Sequence, residues 1–459
     1  MIVLDSAEPD RFCFIERIKA SVIFLDETSL RSDIVLNHGV NDVICFGASE
    51  FKLISEKKIT KFEAESESDE EAKNKIEKFI DENISFKDIG FYTTTSGSTG
   101  VPKIIKVRNS TNYASLKWAT NPKGPEDVPK LAEKFGADLP NIMAHINNVA
   151  AFVNFVGHIM VLFLGLLMEG PHLRRNLLLC DQNDLKSSLA AIAAEKCGGV
   201  WGYTPKIIRI SESQELKEIA LPSVSLFIAG GAKMTAEHMR RITANFAAAQ
   251  NGRKCHVLKI YGSTEMGSQL FRTGLLETDE FAEKTDGIFC SNKGYQCEVR
   301  DSDGKVLPPG EVGQIFVKSP DLMIGYLGFP NQGEWYAMGD EGYLTEENRV
   351  VVLGRLSDQI TLVNTKKSNA LELEDRMYKA GEFVKSVVVL SKRNNNAYDD
   401  IYYLVYCDET DDEKVKEHVK NDILLLTKEQ PTVIFVREPF EVLVNGKIDK
   451  KSLAAKYIQ

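Results

Sequence analysis

The residues best suited to chemistry lie between Thr93 and Lys103, which read TTTSGSTGVPK. Gly97 and Gly100 remove side chains where a backbone must approach an anion closely. The hydroxyls of Thr95, Ser96, Ser98 and Thr99, with free backbone N–H groups, can then point at phosphate oxygens. Lys103 adds a mobile positive charge. The spacing to a Walker A ending is absent, so this is a different way of holding phosphate. Taken alone, such a run is more often a flexible polar loop. Further along, other polar groups sit in runs that are ordinary turns in isolation: IAGGAKMT (228–235), YGSTEMG (261–267), WYAMGDEGYL (335–344), GRLSDQI (354–360) and NGKID (445–449).

These residues need elements to position them. IGFYTTT, just before the glycine-rich loop, is rich in aromatic and β-branched residues and predicts a strand. Beyond the loop, the apolar runs RNLLLC, GGVWGY, VSLFIAGG and HVLKIYG alternate with the helical stretches LKSSLAAIAAEKC and TAEHMRRITANFAAAQ. That alternation predicts an α/β sheet with helices packed on it. From about residue 285, KGYQCEVRDSDGKVLPPGEVGQIFVKSP reads as short strands separated by DSDG and PPG turns, a smaller β-rich subdomain. After GRLSDQ a second small pattern runs to the end, with strands in EFVKSVVVLSK, IYYLVYCDE and PTVIFVRE and a helix in DEKVKEHVKNDILLLTKE. The expected division is 1–353 and 354–459. The opening residues mix helix-like and strand-like runs, RFCFIERIKASVIFLD and DVICFG. The stretch ITKFEAESESDEEAKNKIEKFIDEN reads as a solvated connector leading into a helix.

A chain of 459 residues is too long for one ordinary core. Its formal net charge of −10 argues against nucleic-acid binding, which demands basic patches, but leaves nucleotide binding open. The 8 cysteines are scattered with no CxxC pair, as expected of reduced thiols in a cytoplasmic protein. MIVLDSAEPDRF has early acidic residues and no apolar core, so no secretory signal is expected. Val149–Met168 approaches the roughly 20 residues of a membrane span. Asn154, Gly157 and His158 interrupt it, so the expectation is a buried core helix and no stable membrane span.

TSGSTGVPK closely resembles the signature loop of the adenylate-forming superfamily, which includes acyl-CoA synthetases, nonribosomal peptide adenylation domains and beetle luciferases. The later runs follow in that family's order, so the resemblance extends from about residue 90 to about residue 455. It implies that residues 95–103 cradle the phosphates of ATP, and that Gly230, Gly231 and Ala232 lie along the adenine. In the YGxTE-like run Tyr261 would stack on the adenine and Gly262 and Ser263 would line the nucleotide. There Thr264 would bond the α-phosphate and Glu265 would hold Mg²⁺. Asp340 stands where the family's TGD aspartate accepts from ribose hydroxyls, and Arg355 where the family's hinge arginine contacts ribose or phosphate. Lys447 would be the catalytic lysine. His145 sits where the family often gates the acyl pocket. GEVGQIFVKSPDLMIGYLG (310–328) resembles the strand pair leading to an ARGYL-like turn and is expected to be mainly structural.

The implied fold is α/β: a large N-terminal domain of α/β sheets plus a small β-rich subdomain, followed by a small mobile α+β C-terminal domain carrying Lys447. The implied reaction is ATP-dependent activation of a small carboxylic acid to an acyl-adenylate. Transfer to the thiol of coenzyme A or of a carrier-protein pantetheine then follows as the small domain rotates. The chain departs from the family's pattern in three places. Residues 1–92, ahead of the loop, are fewer than in many relatives, so a shortened N-terminal part is expected. The family's hinge Asp or Lys is Ser357 here. The glycine after the hinge, where a pantetheine arm approaches the backbone, is replaced near Asn364; Lys366 or Lys367 could serve a phosphate-bearing acceptor. The segment MAHINNVAAF lacks the aspartate of amino-acid-activating relatives, so an aryl or fatty acid is expected over an amino acid. Two alternatives stay open: adenylation alone with a non-thiol acceptor, and a catalytically silent nucleotide-binding relative.

Overall fold

Short apolar runs become strands, and their pairing decides where the polar runs end up. The structure is a computed structural model. It describes residues 22–26, 42–46, 51–55, 58–61, 89–94, 103–108, 148–152, 176–266, 271–272, 288–289, 296–362 and 367–458, omitting 182, 233, 320–321, 347, 382, 394–397, 424–430 and 442–446. Strands β1 (Val22–Asp26), β2 (Asp42–Phe46), β3 (Phe51–Ser55) and β4 (Lys58–Lys61) form one sheet in that order. β5 (Ile89–Thr94) and β6 (Ile104–Arg108) pair antiparallel, with Thr94 opposite Ile104. The Ser/Thr/Gly run is therefore the connection of a hairpin whose two ends are held by a ladder.

Next come β7 (Asn148–Phe152), β8 (Asn176–Leu179), helix α1 (Leu185–Ala194), β9 (Gly199–Tyr203), α2 (Thr204–Glu212), α3 (Gln214–Glu218), β10 (Leu226–Gly230), α4 (Ala236–Ala249) and β11 (His256–Tyr261). The five strands are parallel, in the spatial order β8-β7-β9-β10-β11. All five residues of β9 are buried, as helices on a parallel sheet require, so its sequence GVWGY does not alternate. Leu189 and Ile192 of α1, Ile207 and Ile210 of α2, and Met239, Ile242 and Phe246 of α4 share one apolar cluster with Phe152, Val200, Phe227 and Val257. Thr235 and His238 cap α4 reciprocally, which fixes where that helix begins.

Val149–Met168, expected as a core helix, opens instead as a strand: β7 pairs with β8 on one side and β9 on the other. A short apolar run does not separate buried strand from buried helix by periodicity, and here two parallel neighbours decide. Residues 153–168 lie outside the described residues. Among the described residues no helix is long and apolar enough to cross a membrane.

The sheet then turns antiparallel. β12 (Phe271–Arg272) and β13 (Ile288–Phe289) follow β11, and β14 (Gln296–Arg300) and β15 (Gly313–Lys318) lie at the far edge. β16 (Gly325–Tyr326) leaves this sheet to pair with β6. β17 (Tyr336–Leu344) and β18 (Arg349–Arg355) complete it, in the order β14-β15-β17-β18-β13-β12-β11. The remaining elements are β19 (Gln359–Thr361), β20 (Lys367–Asn369), α5 (Ala370–Tyr378), β21 (Ser386–Arg393), β22 (Asp399–Tyr406), α6 (Asp412–His418), β23 (Thr432–Val436) and α7 (Lys450–Tyr457). Leu373 and Met377 of α5 pack with Val387, Val389, Tyr403 and Val405 of the β21-β22-β23 sheet. The helix expected over residues 412–429 is α-helical over Asp412–His418 and continues as a π-turn over Val419–Ile423; the rest of that stretch lies outside the described residues.

Asn369 joins these elements to β18. It is buried, its Oδ1 accepts from Leu371 N at 3.3 Å to cap α5, and its Nδ2 donates to Arg355 O at 2.8 Å. A Cβ on Gly354 would land on this carboxamide, which explains a glycine there. Asn369→Ala removes the cap and the side-chain bond to the Arg355 carbonyl. We expect a loss of about 1–2 kcal/mol, read as a lower midpoint in thermal unfolding of the whole chain. An unchanged midpoint would show that the cap contributes nothing.

Candidate active site

Because β7, β9, β10 and β11 are parallel, their carboxyl ends share one edge of the sheet. Strand order reverses at β7, and ligands of open α/β sheets bind outside the carboxyl ends at such a reversal. Phe152, Tyr203, Gly230 and Tyr261 are the last residues of the four strands. Past the end of β10, Gly231 has φ +78, a left-handed conformation that glycine adopts without strain. A Cβ there would come within 2.8 Å of Cδ1 of Tyr203. The Thr204 hydroxyl donates toward Ala232 O at 2.9 Å and lies 3.3 Å from Gly230 O. Gly230, Gly231 and Ala232 thus form a ledge of backbone, seated on an aromatic ring and tied to the start of α2. Such a ledge fits a flat ring sliding against it.

The polar centre lies beside this ledge. The Tyr261 hydroxyl donates to Asp340 Oδ2 at 2.6 Å. Asp340 is buried on β17, opposite Arg355 of β18, whose Nε is 3.1 Å from Asp340 Oδ1. Arg355 Nη1 also donates to Met338 O at 3.0 Å, so one guanidinium grips both a side chain and the backbone of β17. Gly262 and Ser263 follow Tyr261, with Ser263 Oγ 4.0 Å from Met338 Sδ. Thr264 and Glu265 stand on a tight 3₁₀ turn anchored by buried Met266. Glu265 Oε1 accepts from the Tyr326 hydroxyl at 2.9 Å.

Electrostatics link Lys447 to this centre. Burial, and then the Arg355 charge, push the Lys447 ammonium below the ordinary lysine range, while Asp340 and Glu265 pull it back up. Burial raises the Asp340 carboxyl, opposed by Arg355, Tyr261 and Lys447. Burial, then the Asp340 charge, hold the Tyr261 phenol well above its usual range, so it stays a donor.

Of the residues expected from the sequence, the structure thus gathers Tyr261, Glu265, Asp340, Arg355 and Lys447 into one cluster, next to the 230–232 ledge. Thr95, Ser96, Gly97, Ser98, Thr99, Gly100 and His145 lie outside the described residues. Lys103 is described: it is exposed, with Nζ 4.8 Å from the centroid of the Tyr326 ring. After Arg355, the Ser357 hydroxyl donates to Asp358 Oδ1 at 3.0 Å. Lys450 Nζ lies 3.8 Å from Asp358 Oδ2 and 3.1 Å from Glu374 Oε1, joining this turn to the start of α7. Asn364 and Lys366 lie outside the described residues, and Lys367 is exposed on β20.

Three contributors escaped the sequence reading. Tyr203 and Thr204 support the ledge; the signal for them is their place at the carboxyl end of a parallel strand. Tyr326 comes from a stretch expected to be structural, and nothing in its local spacing announces its contact with Glu265. The donor set fits a Mg²⁺ ion that arrives with phosphates. Among the described residues no three His, Cys, Asp or Glu side chains form a metal cage. Glu265 offers one carboxylate, which suits an ion whose other oxygens come from phosphate and water.

Comparison with known proteins agrees with this layout. The model of the family described as AMP-binding enzyme matches residues 13–327. D-alanine-D-alanyl carrier protein ligase of Bacillus cereus (strain B4264) is 24% identical over 389 residues, 80% of this chain and 71% of that protein. Among solved structures, the anthranilate CoA ligase AuaEII in complex with anthranoyl-AMP has a TM-score of 0.71 at 15% identity, covering 99% of this chain and 81% of that one. ATP-bound MatB from Rhodopseudomonas palustris has a TM-score of 0.67 at 20% identity, covering 97% and 81%. The chain belongs to the AMP-binding enzyme family, and its α/β fold is that of the adenylate-forming ligases.

Proposed function

We propose that this chain activates a carboxylic acid with ATP. The observation that carries the proposal is the convergence of Lys447, Arg355, Asp340, Glu265 and Tyr261 at the carboxyl edge of the parallel sheet. The ledge of Gly230, Gly231 and Ala232 and the Tyr261 ring hold the adenine. Asp340, kept in place by Tyr261 and Arg355, accepts from the ribose hydroxyls. The hairpin loop, Thr95 to Gly100 with Lys103, takes the outer phosphates, and Gly262, Ser263 and Thr264 take the α-phosphate. Glu265 would hold Mg²⁺, which supplies positive charge to the phosphate oxygens.

A carboxylate oxygen of the substrate bonds to the α-phosphorus, and the bond from that phosphorus to the pyrophosphate oxygen breaks. Negative charge shifts toward the leaving pyrophosphate and the α-phosphoryl oxygens, so catalysis is mainly positioning and electrostatic stabilisation. Lys447 is the group best placed to bridge the substrate carboxylate and the α-phosphate. We further propose that the chain divides at 353/354. In that division the C-terminal part withdraws Lys447 after adenylation and admits the thiol of coenzyme A or of a carrier-protein pantetheine.

The acid we favour is aryl or fatty. Phe152, Gly202 and Tyr203, the described residues where the strand order reverses, carry no carboxylate to pair with an amino group. The second reading is an amino acid passed to a carrier protein, favoured by the similarity to D-alanine-D-alanyl carrier protein ligase over 80% of the chain.

ATP–pyrophosphate exchange across aryl, fatty and amino acids, D-alanine included, tests both. We expect exchange with one acid class, and a loss of about a hundred- to a thousand-fold in Lys447→Ala. Absence of exchange with every acid, despite ATP binding, would leave the silent-relative alternative standing. The pH profile supplies a second check. In the free protein the Lys447 cation is lost below the usual lysine value of about 10.4, whereas a bound triphosphate raises its pKa. The basic limb of kcat/KM for ATP is therefore expected at lower pH than that of kcat. Lys447→Arg, which does not titrate in this range, should abolish both limbs; limbs that persist belong to another group.

A further inference from the structure

The segment Leu322–Leu327 was expected to be structural, yet it touches both phosphate-facing arms of the site. Met323 N donates to Glu265 O at 2.9 Å, and Arg108 Nε donates to Leu322 O at 3.2 Å. Ile324 N donates to Lys106 O and Leu327 N to Ile104 O, each at 2.8 Å, so β16 is zipped onto β6 directly after the hairpin loop. Gly325 has φ +151, and a Cβ there would meet Pro330 O at 2.9 Å, so the backbone path is tightly set. That path delivers Tyr326 between the arms. Its hydroxyl donates to Glu265 Oε1 at 2.9 Å and lies 3.5 Å from the Tyr336 hydroxyl. Its ring lies under Lys103 Nζ at 4.8 Å.

We propose that Tyr326 is a positioning residue for the phosphate end of the site, its hydroxyl aiming the Glu265 carboxylate and its ring seating the Lys103 ammonium. The inference rests on the adenylation reading given above. One carboxylate oxygen engaged by a phenol leaves the other directed at a cation, which is how a partner hydrogen bond orients a metal ligand. The ring face attracts the ammonium, which holds Lys103 near the end of the hairpin loop. Tyr336, with its hydroxyl beside that of Tyr326, limits rotation of the phenol. The two tasks sit on different atoms and separate by substitution: Tyr326→Phe keeps the ring and removes the hydroxyl, and Tyr326→Leu removes both.

The test is equilibrium binding of ATP to the full chain by calorimetry, with EDTA and then with Mn²⁺ or Mg²⁺, so that no turnover is needed. For Tyr326→Phe we expect metal-free ATP affinity within two-fold of the original chain, and about ten-fold less tightening by the metal. For Tyr326→Leu we expect, in addition, metal-free binding roughly two- to five-fold weaker. In Glu265→Gln the tightening should already be lost, and adding Tyr326→Phe should lower it no further. Full metal-dependent tightening in Tyr326→Phe would overturn the proposal. So would equal weakening with and without metal, or independent, additive effects of the Glu265 and Tyr326 substitutions. Failure of the unsubstituted chain to bind ATP would overturn the adenylation reading itself, and that is seen before any variant is made. If Tyr326→Leu does not fold, the Tyr326→Phe and Glu265→Gln pair still decides.

Discussion

Asp340 is 4% exposed and sits within β17, where an uncompensated carboxylate would cost several kcal/mol. Three groups offset that cost, and each comes from a different part of the chain. Tyr261 reaches it from the end of the last parallel strand, Arg355 from the end of β18, and Lys447 contributes its charge from near the C-terminus. The buried carboxylate therefore ties three segments to one point. It also keeps each partner in a useful state: the phenol as a donor, the guanidinium bonded to β17, the ammonium near a counter-charge.

Everything else about the site follows from what the sheet can hold at its edge. Parallel strands end together, so Phe152, Tyr203, Gly230 and Tyr261 need no long-range device to line up. The described helices that return between them pack into one apolar cluster with the strands, away from the strand ends. At that edge side chains are an obstruction, which is why the chain leaves β10 through Gly231 at φ +78, on the face of Tyr203. The antiparallel half then carries β17 and β18 to the same region. Arg355 and Asp340 face each other because they are partners in one ladder, not because a loop happens to fold over.

Local patterns made much of this legible in the sequence. VSLFIAGG and HVLKIYG read as strands because they are short apolar runs, and TAEHMRRITANFAAAQ reads as a helical stretch between them. Tyr261, Glu265, Asp340, Arg355 and Lys447 stood out through the runs that surround them. What stayed hidden was fixed by partners distant in sequence. NNVAAF is equally apolar as strand or helix, and only β8 and β9 make it a strand. Tyr326 lies 61 positions from Glu265, and its role depends on β16 pairing with β6 rather than with the sheet it follows. Thr204 is an unremarkable helix-start residue until the turn at 230–232 is placed above it. The register of pairing, which composition does not encode locally, separates the two groups.

Lys447 differs from its neighbours in how it is held. Among the described residues, the apolar cluster of the parallel sheet draws on Ala150 to Val257 and that of the C-terminal part on Ile360 to Val419, with no shared member. The contacts between them are of another kind: Arg241 Nη2 donates to Val384 O at 3.0 Å, and the His238 ring meets Tyr378 edge-on at 4.3 Å. Among the described residues each apolar core thus closes without the other, and polar and ring contacts are among those that seat the C-terminal part. Under the adenylation reading, a bound triphosphate adds an attraction for Lys447 that exists only when that part is docked. By linkage, whatever favours docking then favours nucleotide binding by the same factor. On the same reading, once pyrophosphate has left, much of the negative charge that would draw Lys447 inward leaves with it. Under the proposed division at 353/354, the loss of that charge would weaken the docked state as the proposed acceptor enters.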